Sequence, residues 1–178
     1  MTDLWVLPRE LILEGEPYAI RWDYRTALAV MALLNGEDQP AHLRWFRALK
    51  RFYIRPVPDR LCGRAMTAMA EFLTQGQEGT PGVPLFDWQL DAPEIISDIN
   101  RVAGFEVRKE QVHWWTFLAW FRAIGEGQLS FLVGLRGKLL RGEKLTDGER
   151  EFCRRHPDKC RLRSPDDPEK RRLEERLK

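Results

Sequence analysis

The sequence predicts a mainly α-helical fold, a compact multi-helix domain with a small β-hairpin near its N-terminus. Apolar residues recur at intervals of three and four along several stretches, which is the period of a helix with one buried face. Capping residues, glycines and prolines separate these stretches, and a strand–turn–strand pattern occupies residues 9–21. The 178 residues suit a single domain, which we expect to span 1–160.

Composition limits the class of protein. Hydrophobic residues make up 43% and charged residues 31%, which favours a soluble globular chain over a disordered one. The three cysteines are too few, and odd in number, for a secreted disulfide framework. The N-terminus lacks a basic-then-apolar signal pattern, and no apolar run approaches the ~18 residues of a membrane span. We therefore expect a cytosolic protein with no membrane partner.

The hairpin is predicted from two apolar-containing runs that flank Glu14-Gly-Glu-Pro17. Gly15 can adopt a positive φ angle without steric cost, as a tight hairpin turn requires. A two-stranded ribbon is only marginally stable in water, so it must pack against helices.

Three helices are predicted in the N-terminal half. Asp23 is placed to cap the first, which stops at Asn35-Gly36. The second runs from 41 to about 53 and the third from about 59 to 73, separated by a proline-rich segment. Residues 75–84 are rich in Gly and Pro and are predicted to form an internal loop.

The C-terminal half has its own helix signals. Asp91-Ala-Pro-Glu94 has the pattern of a capping box and opens a predicted helix. A tryptophan-rich helix is predicted from about 108 to 124, followed by an apolar segment at 129–140. Thr146-Asp-Gly-Glu149 is a second capping-box pattern, and it begins a helix that Pro157 should end.

Charge is distributed unevenly along the chain. Residues 136–178 contain 15 Lys and Arg against 10 Asp and Glu, whereas the preceding residues carry a small acidic excess. Residues 161–178 are predicted to form a charged tail, helical or flexible. The pattern fits an anionic partner, and it also fits a solvated tail of mixed charge.

The tryptophan-rich stretch places most of its apolar residues on one broad helical face. A helix that is apolar nearly all round is normally central in a fold. The predicted structural core residues on this face are Trp114, Phe117, Leu118 and Phe121.

Trp115 and Trp120 lie on opposite flanks of that helix. Core packing is the favoured interpretation for the cluster. The alternative is an exposed patch for a protein partner, since tryptophan is a frequent interface anchor. The candidate partner-binding residues are Trp115 and Trp120, together with Trp45 and Phe46 on the second helix.

The second helix also carries a basic set. Phosphate contacts combined with base stacking can have this appearance, and so can an amphipathic helix with a solvated basic face. Nucleic-acid binding is the less favoured interpretation because the chain as a whole is far from strongly basic. The basic residues are Arg44, Arg47, Lys50, Arg51 and Arg55.

Signals for metal binding and catalysis are weak. Cys153, His156 and Cys160 have helical spacing, but a structural zinc site needs four ligands, and Pro157 interrupts the helix. Half-buried cysteines are favoured instead. No phosphate-binding loop, G-x-S-x-G or H-E-x-x-H motif occurs, and His113 has no nucleophile nearby in sequence. We therefore predict a non-enzymatic protein without catalytic residues, metal ligands or cofactors.

The order of several motifs resembles the bacteriophage gene-product-fifteen family, from phages and prophages with long non-contractile tails. The hairpin leads into Ile20-Arg-Trp-Asp-Tyr-Arg25, and Phe86-Asp-Trp-Gln-Leu-Asp-Ala-Pro93 opens a helix. Val112-His-Trp-Trp-x-Phe117 follows, then a break at Gly125 and a segment ending near Leu135-Arg-Gly137. The similarity covers about residues 8 to 160. Its most specific parts are the Asp-Ala-Pro helix start and the His-Trp-Trp-x-Phe stretch.

The resemblance implies a phage tail morphogenesis protein in the cytoplasm of the bacterial host. It implies a tail assembly chaperone that binds the tape-measure protein and other tail proteins, with exposed apolar side chains as anchors. Two alternatives stay open, a virion structural or tail-completion component and a nucleic-acid-binding packaging or regulatory protein. The sequence also leaves open whether the chain forms a homo-oligomer.

Overall fold

The computed structural model describes residues 5–36, 39–77 and 84–160. These residues are mainly helical and include an N-terminal two-stranded antiparallel hairpin, which confirms the predicted fold class. Most of the predicted loop at 75–84 and the whole predicted tail at 161–178 lie outside the described residues.

The hairpin and the helices follow one another along the chain. The first half contains β1 (Glu10–Leu13), β2 (Glu16–Ala19), α1 (Tyr24–Asn35), α2 (Ala41–Phe52) and α3 (Cys62–Thr74), the last preceded by a 3-10 turn at Asp59–Leu61. The second half contains α4 (Ala92–Ala103), a 3-10 turn at Val107–Lys109, α5 (Trp114–Arg122), α6 (Gln128–Leu140), α7 (Asp147–Arg155) and α8 (Pro157–Cys160).

The turn residues of the hairpin have the backbone angles that a tight two-residue turn requires. Leu13 pairs with Glu16, and the two residues between them, Glu14 and Gly15, have φ angles of 50° and 85°. Positive φ at both central positions is the geometry of the turn whose twist matches the flanking strands. Leu13 and Tyr18 are buried, so the ribbon is stabilised by the helices rather than by itself.

The chain folds into two compact units. Unit 1 comprises the described residues of Met1–Pro81 and Ile99–Ala123, and unit 2 those of Gly82–Asp98 and Ile124–Lys178. Helix α4 therefore contributes residues to both units.

Unit 1 has an aromatic core built around α5. The indole N–H groups of Trp114 and Trp115 donate to the carbonyl oxygens of Leu73 and Phe72, each at 2.9 Å. These carbonyls belong to the last turn of α3, where helical donors run out, and the Phe72 carbonyl has only a longer bond of 3.4 Å from the Gln75 N–H besides. The two tryptophans therefore bury their rings and satisfy the end of a neighbouring helix at the same time.

Helix α5 begins about six residues later than the sequence predicted. His113 is its N-cap, with Nδ1 accepting a hydrogen bond from the backbone N–H of Trp115. The residues just before it are extended, because Trp22 and Tyr24 pair with Trp114 and Val112 through backbone hydrogen bonds of 2.9 and 3.0 Å. Helical periodicity extended the prediction too far back because it does not register such tertiary pairing.

Unit 2 is organised by a buried ion pair. The Arg136 guanidinium, only 4% exposed, donates to both carboxylate oxygens of Asp91 at 2.6 and 2.8 Å. It also donates to the carbonyl oxygens of Leu85 and Lys159. A buried guanidinium is tolerated only when its donors are satisfied in this way.

The two predicted capping boxes have different outcomes. Thr146 and Glu149 form the reciprocal pair of hydrogen bonds that opens α7, which confirms that prediction. The box predicted at Asp91 and Glu94 does not form, because the Asp91 backbone N–H donates to the Asp87 carbonyl and the Glu94 carboxylate pairs with Lys159. In the part of the chain that the structure describes, no helix combines the length and apolar character that a bilayer span requires.

Candidate partner-binding surface

The candidate site is a groove at the C-terminal end of α2, within unit 1. We call it the α2 groove; it has a volume of about 380 Å³, and its main lining residues are Phe46, Leu49, Lys50, Tyr53, Ile54 and Val57. Leu49 and Tyr53 form its buried floor. Phe46 and Ile54 are 63% and 58% exposed, so two large apolar side chains stand at its edge in contact with solvent.

Ile54 follows the end of α2, where the backbone becomes extended and pairs with the hairpin. Ile20 and Tyr53 form an antiparallel bridge, and the backbone N–H of Ile54 donates to the carbonyl of Ala19 at 3.0 Å. In extended backbone, successive side chains point to opposite faces. Tyr53 therefore points into the core, where its hydroxyl donates to the carbonyl of Ala65, and Ile54 points outward.

Arg21 holds the end of α2 in place. Its guanidinium donates to the carbonyl oxygens of Arg51 at 3.0 Å and Tyr53 at 2.6 Å, with a longer contact to Lys50. Helix C-termini present unpaired carbonyls and a partial negative charge, which a cation stabilises. The rim of the groove is therefore fixed by the hydrogen bonds of an exposed cation as well as by apolar packing.

Two of the predicted basic residues also have structural partners. Arg44 donates to the carbonyls of Leu34 and Gly36, closing the end of α1. Arg55 lies 3.7 Å from the centroid of the Tyr18 ring and pairs with Glu16. Both are held in place as part of the fold.

The other three basic residues face solvent. Arg47, Lys50 and Arg51 are exposed, and they form no ion pair within the described ranges. Residues 41–58 contain five Lys and Arg and no Asp or Glu. The α2 groove is therefore an apolar patch in a positively charged surround.

The four candidate anchors fall in different environments. Phe46 lies on the α2 groove, and Trp45 beside it is half-buried. Trp115 is 3% exposed, because the end of α3 and the Phe72 ring cover it; this agrees with the favoured core interpretation, and the alternative of an exposed Trp115 is wrong. Trp120 is half-buried and packs edge-on against Phe105, with ring centroids 5.5 Å apart.

Trp120 contributes to a second, wider groove of about 480 Å³ in unit 1. Leu7 and Phe105, both exposed, line it together with Trp22 and Thr116. The rim includes Arg9 and Glu110, so its charge is mixed. The mixed charge of this rim does not favour an acidic or a basic partner. The α2 groove, with its basic rim, is therefore the better-defined candidate site.

The predicted structural core residues can also be placed. Trp114, Phe117 and Leu118 are buried, and Phe117 stacks on Tyr24 with ring centroids 4.5 Å apart. Phe121 is half-buried.

Neither Ile54 nor Phe105 is among the predicted site residues. Ile54 follows the apolar face of α2 but lies beyond the helix, where helical periodicity no longer applies. Phe105 follows Gly104, which ends α4 with a positive φ angle of 79°. An apolar residue just after a helix stop was the available signal in both cases.

His113 lines the second groove of unit 1, where it serves as the N-cap of α5. Burial lowers its pKa, the hydrogen bond to the Pro8 carbonyl opposes that change, and the charge of Arg9 adds to it. Within the described residues, no three His, Cys, Asp or Glu side chains gather into a group that could hold a metal ion.

Comparisons of this chain with protein-family models, with curated proteins and with solved structures find no match in any of the three.

Proposed function

We propose that this chain is a non-enzymatic tail assembly chaperone of a long-tailed phage, acting in the host cytoplasm by binding the tape-measure protein. Two observations support the proposal, the motif resemblance described above and the α2 groove. The groove is the proposed binding surface, because Phe46 and Ile54 are exposed there and basic residues line its edge.

A tape-measure protein is a long chain with apolar faces that must stay soluble until tail-tube subunits polymerise around it. An amphipathic helix can lay apolar side chains into a groove of this kind. Burying one large apolar side chain contributes about 1.5–3 kcal/mol. Arg47, Lys50 and Arg51 would favour segments whose apolar residues are flanked by Asp or Glu.

The test is co-expression of the full chain with the tape-measure protein of the same phage, followed by affinity capture. We expect the tape-measure protein to become soluble and to co-purify. A tape-measure protein that stays insoluble and uncaptured would contradict the proposal.

A matched pair of variants locates the surface. Phe46→Gln removes the more exposed of the two large apolar side chains at the groove edge, and we expect it to weaken capture on the order of tenfold. Leu140→Gln makes a similar change at a side chain of similar exposure, 59% against 63%, on α6 in unit 2. Equal capture by the two variants would argue against the α2 groove.

Two other measurements separate the alternatives. An assembly chaperone is absent from finished particles, so mass spectrometry of purified virions should not detect this chain; its presence would favour a virion component. Nucleic-acid binding would appear as a gel shift that weakens steeply with salt.

A further inference from the structure

Two thiols meet in unit 2. Cys153 lies on α7 and Cys160 ends α8, and their Sγ atoms are 2.6 Å apart. Cys153 is half-buried and Cys160 is buried. The helix break at His156 and Pro157 turns the chain back, so residues seven positions apart face each other.

The surrounding contacts fix the position of Cys160. The Nε atom of the buried Arg136 donates to the carbonyl oxygen of Lys159 at 2.8 Å, which ties α8 to α6 next to Cys160. The Lys159 ammonium pairs with Glu94 on α4. The position of Cys160 is therefore set by an anchored backbone and not by a free chain end.

We propose that Cys153 and Cys160 form a redox-modification site, a vicinal thiol pair that closes to an intramolecular disulfide with a small-molecule disulfide such as oxidised glutathione as the oxidant. The observation that carries this is the direct Sγ–Sγ contact between Cys153 on α7 and Cys160 on α8, and Arg136 ties the backbone next to Cys160 to α6.

The reaction is two successive thiol–disulfide exchanges. The Cys153 thiol loses its proton to solvent, and the thiolate attacks one sulfur of oxidised glutathione, forming a mixed disulfide and releasing one glutathione thiolate. The Cys160 thiol then loses its proton and attacks Sγ of Cys153, which releases the second glutathione. The two protein thiols are oxidised to one disulfide while oxidised glutathione is reduced to two thiols.

Exposure determines the order of attack. Cys153 is the more accessible sulfur, so it meets the oxidant first. Burial, together with the neighbouring Cys153 thiol, raises the pKa of Cys160 to about 12, although the charge of Arg136 opposes this. Cys160 is therefore protonated at neutral pH and acts second, once the mixed disulfide lies beside it.

The disulfide would stiffen one wall of an apolar cavity in unit 2. This cavity, of about 460 Å³, is lined by Glu94, Gly127, Phe131, Leu132, Phe152 and Lys159. Phe152 precedes Cys153 and Lys159 precedes Cys160, so the bond would join the two segments that supply these side chains.

The test uses the full-length protein, incubated in buffers of oxidised and reduced glutathione, quenched with acid, alkylated in denaturant and digested with trypsin. We expect free thiols to fall from three to one under oxidising buffer. The peptide Glu151–Arg154 should be found linked to the peptide that begins at Cys160, and dithiothreitol should reverse the link. Three alkylated cysteines under oxidising buffer, or a link that involves Cys62, would overturn the proposal.

Variants test the order of attack. In Cys160→Ser, we expect one glutathione to accumulate on Cys153, whereas in Cys153→Ser the buried Cys160 should stay unmodified under the same conditions. Cys62→Ser is the matched control and should form the same linked peptides as the unsubstituted chain. If the serine variants at 153 or 160 do not fold, the peptide map of the unsubstituted chain decides the question by itself.

Discussion

His113 has its protonation state set by its contacts. Nδ1 accepts from the backbone N–H of Trp115 at 3.1 Å, and Nε2 lies 2.9 Å from the carbonyl oxygen of Pro8. One neutral tautomer satisfies both contacts, the one with the proton on Nε2. Protonating Nδ1 would place a second donor against the Trp115 N–H and would abolish the cap. The hydrogen bond that caps α5 is therefore lost when His113 becomes protonated.

The sign of the pH dependence follows from the lowered pKa of His113. Between the folded pKa and the unfolded value of about 6.5, the unfolded chain binds a proton that the folded chain does not. The stability contributed by neutral His113 is therefore fully present above about pH 6.5 and is lost as pH falls toward the folded pKa.

We predict that His113→Asn removes this part of the pH dependence. Asparagine retains an oxygen that can cap the helix but does not titrate. Thermal unfolding followed by circular dichroism at about pH 5, 6 and 7 should show a smaller drop in Tm for the variant than for the unsubstituted chain. His42→Asn, at an exposed position, should keep the original slope. Identical slopes in all three proteins would show that His113 is not the titrating group.

Helix α5 is held by specific donors as well as by apolar area. Its two indole N–H groups reach the last carbonyls of α3, and its cap is paired with the segment before α1. An unpartnered buried carbonyl costs free energy, so removing a donor is more damaging than the loss of ring area alone suggests. The position of α5 is therefore defined by directional contacts at its first turn.

We predict that Trp115→Phe lowers the free energy of unfolding by about 1–3 kcal/mol, because the Phe72 carbonyl loses its indole donor while most of the apolar contact is retained. Urea denaturation followed by far-UV circular dichroism measures the change. Trp120→Phe is the matched control on the half-buried flank of the same helix, with an expected cost below about 1 kcal/mol. Equal losses from the two substitutions would mean that ring volume, and not the hydrogen bond, dominates.

At the scale of the whole molecule, the net charge of +2 is small, but the charged residues are unevenly distributed along the chain. Residues 41–58 carry five Lys and Arg and no Asp or Glu, and Lys50, Arg21 and Arg55 line the α2 groove. Such a field steers an acidic partner and gives binding that weakens with salt. The proposed partner-binding function therefore has an electrostatic signature that a purely apolar contact would lack.

We predict that Arg47→Glu combined with Lys50→Glu weakens capture of the tape-measure protein on the order of tenfold near 0.15 M salt, with a smaller difference near 1 M. Arg150→Glu combined with Arg154→Glu makes the same change in net charge at exposed positions on α7 in unit 2. Capture at several salt concentrations is the measurement. If both double variants weaken capture equally, the loss of affinity is due to the overall charge of the protein and not to the basic residues around the α2 groove.

Much of the fold was predictable because its signals are local. The α1 cap at Asp23, the hairpin turn at Gly15 and the capping box at Thr146 each depend on a few adjacent residues. The candidate site was only partly predictable. Phe46 was identified from its helix, but Ile54 lies beyond that helix and is exposed because the backbone there pairs with the hairpin.

Spacing and capping along the chain predict which segments are helical, where most of them begin and end, and which face of each is apolar. Only the tertiary structure decided what covers each face. Trp115 and Trp120 flank the same helix, yet the end of α3 buries the first and leaves the second half-buried. Cys153 and Cys160 meet because the chain turns between α7 and α8, and Arg136 anchors the backbone beside Cys160. Periodicity gives a side chain its angle about a helix axis, whereas its burial and its partners depend on contacts between residues far apart in the chain.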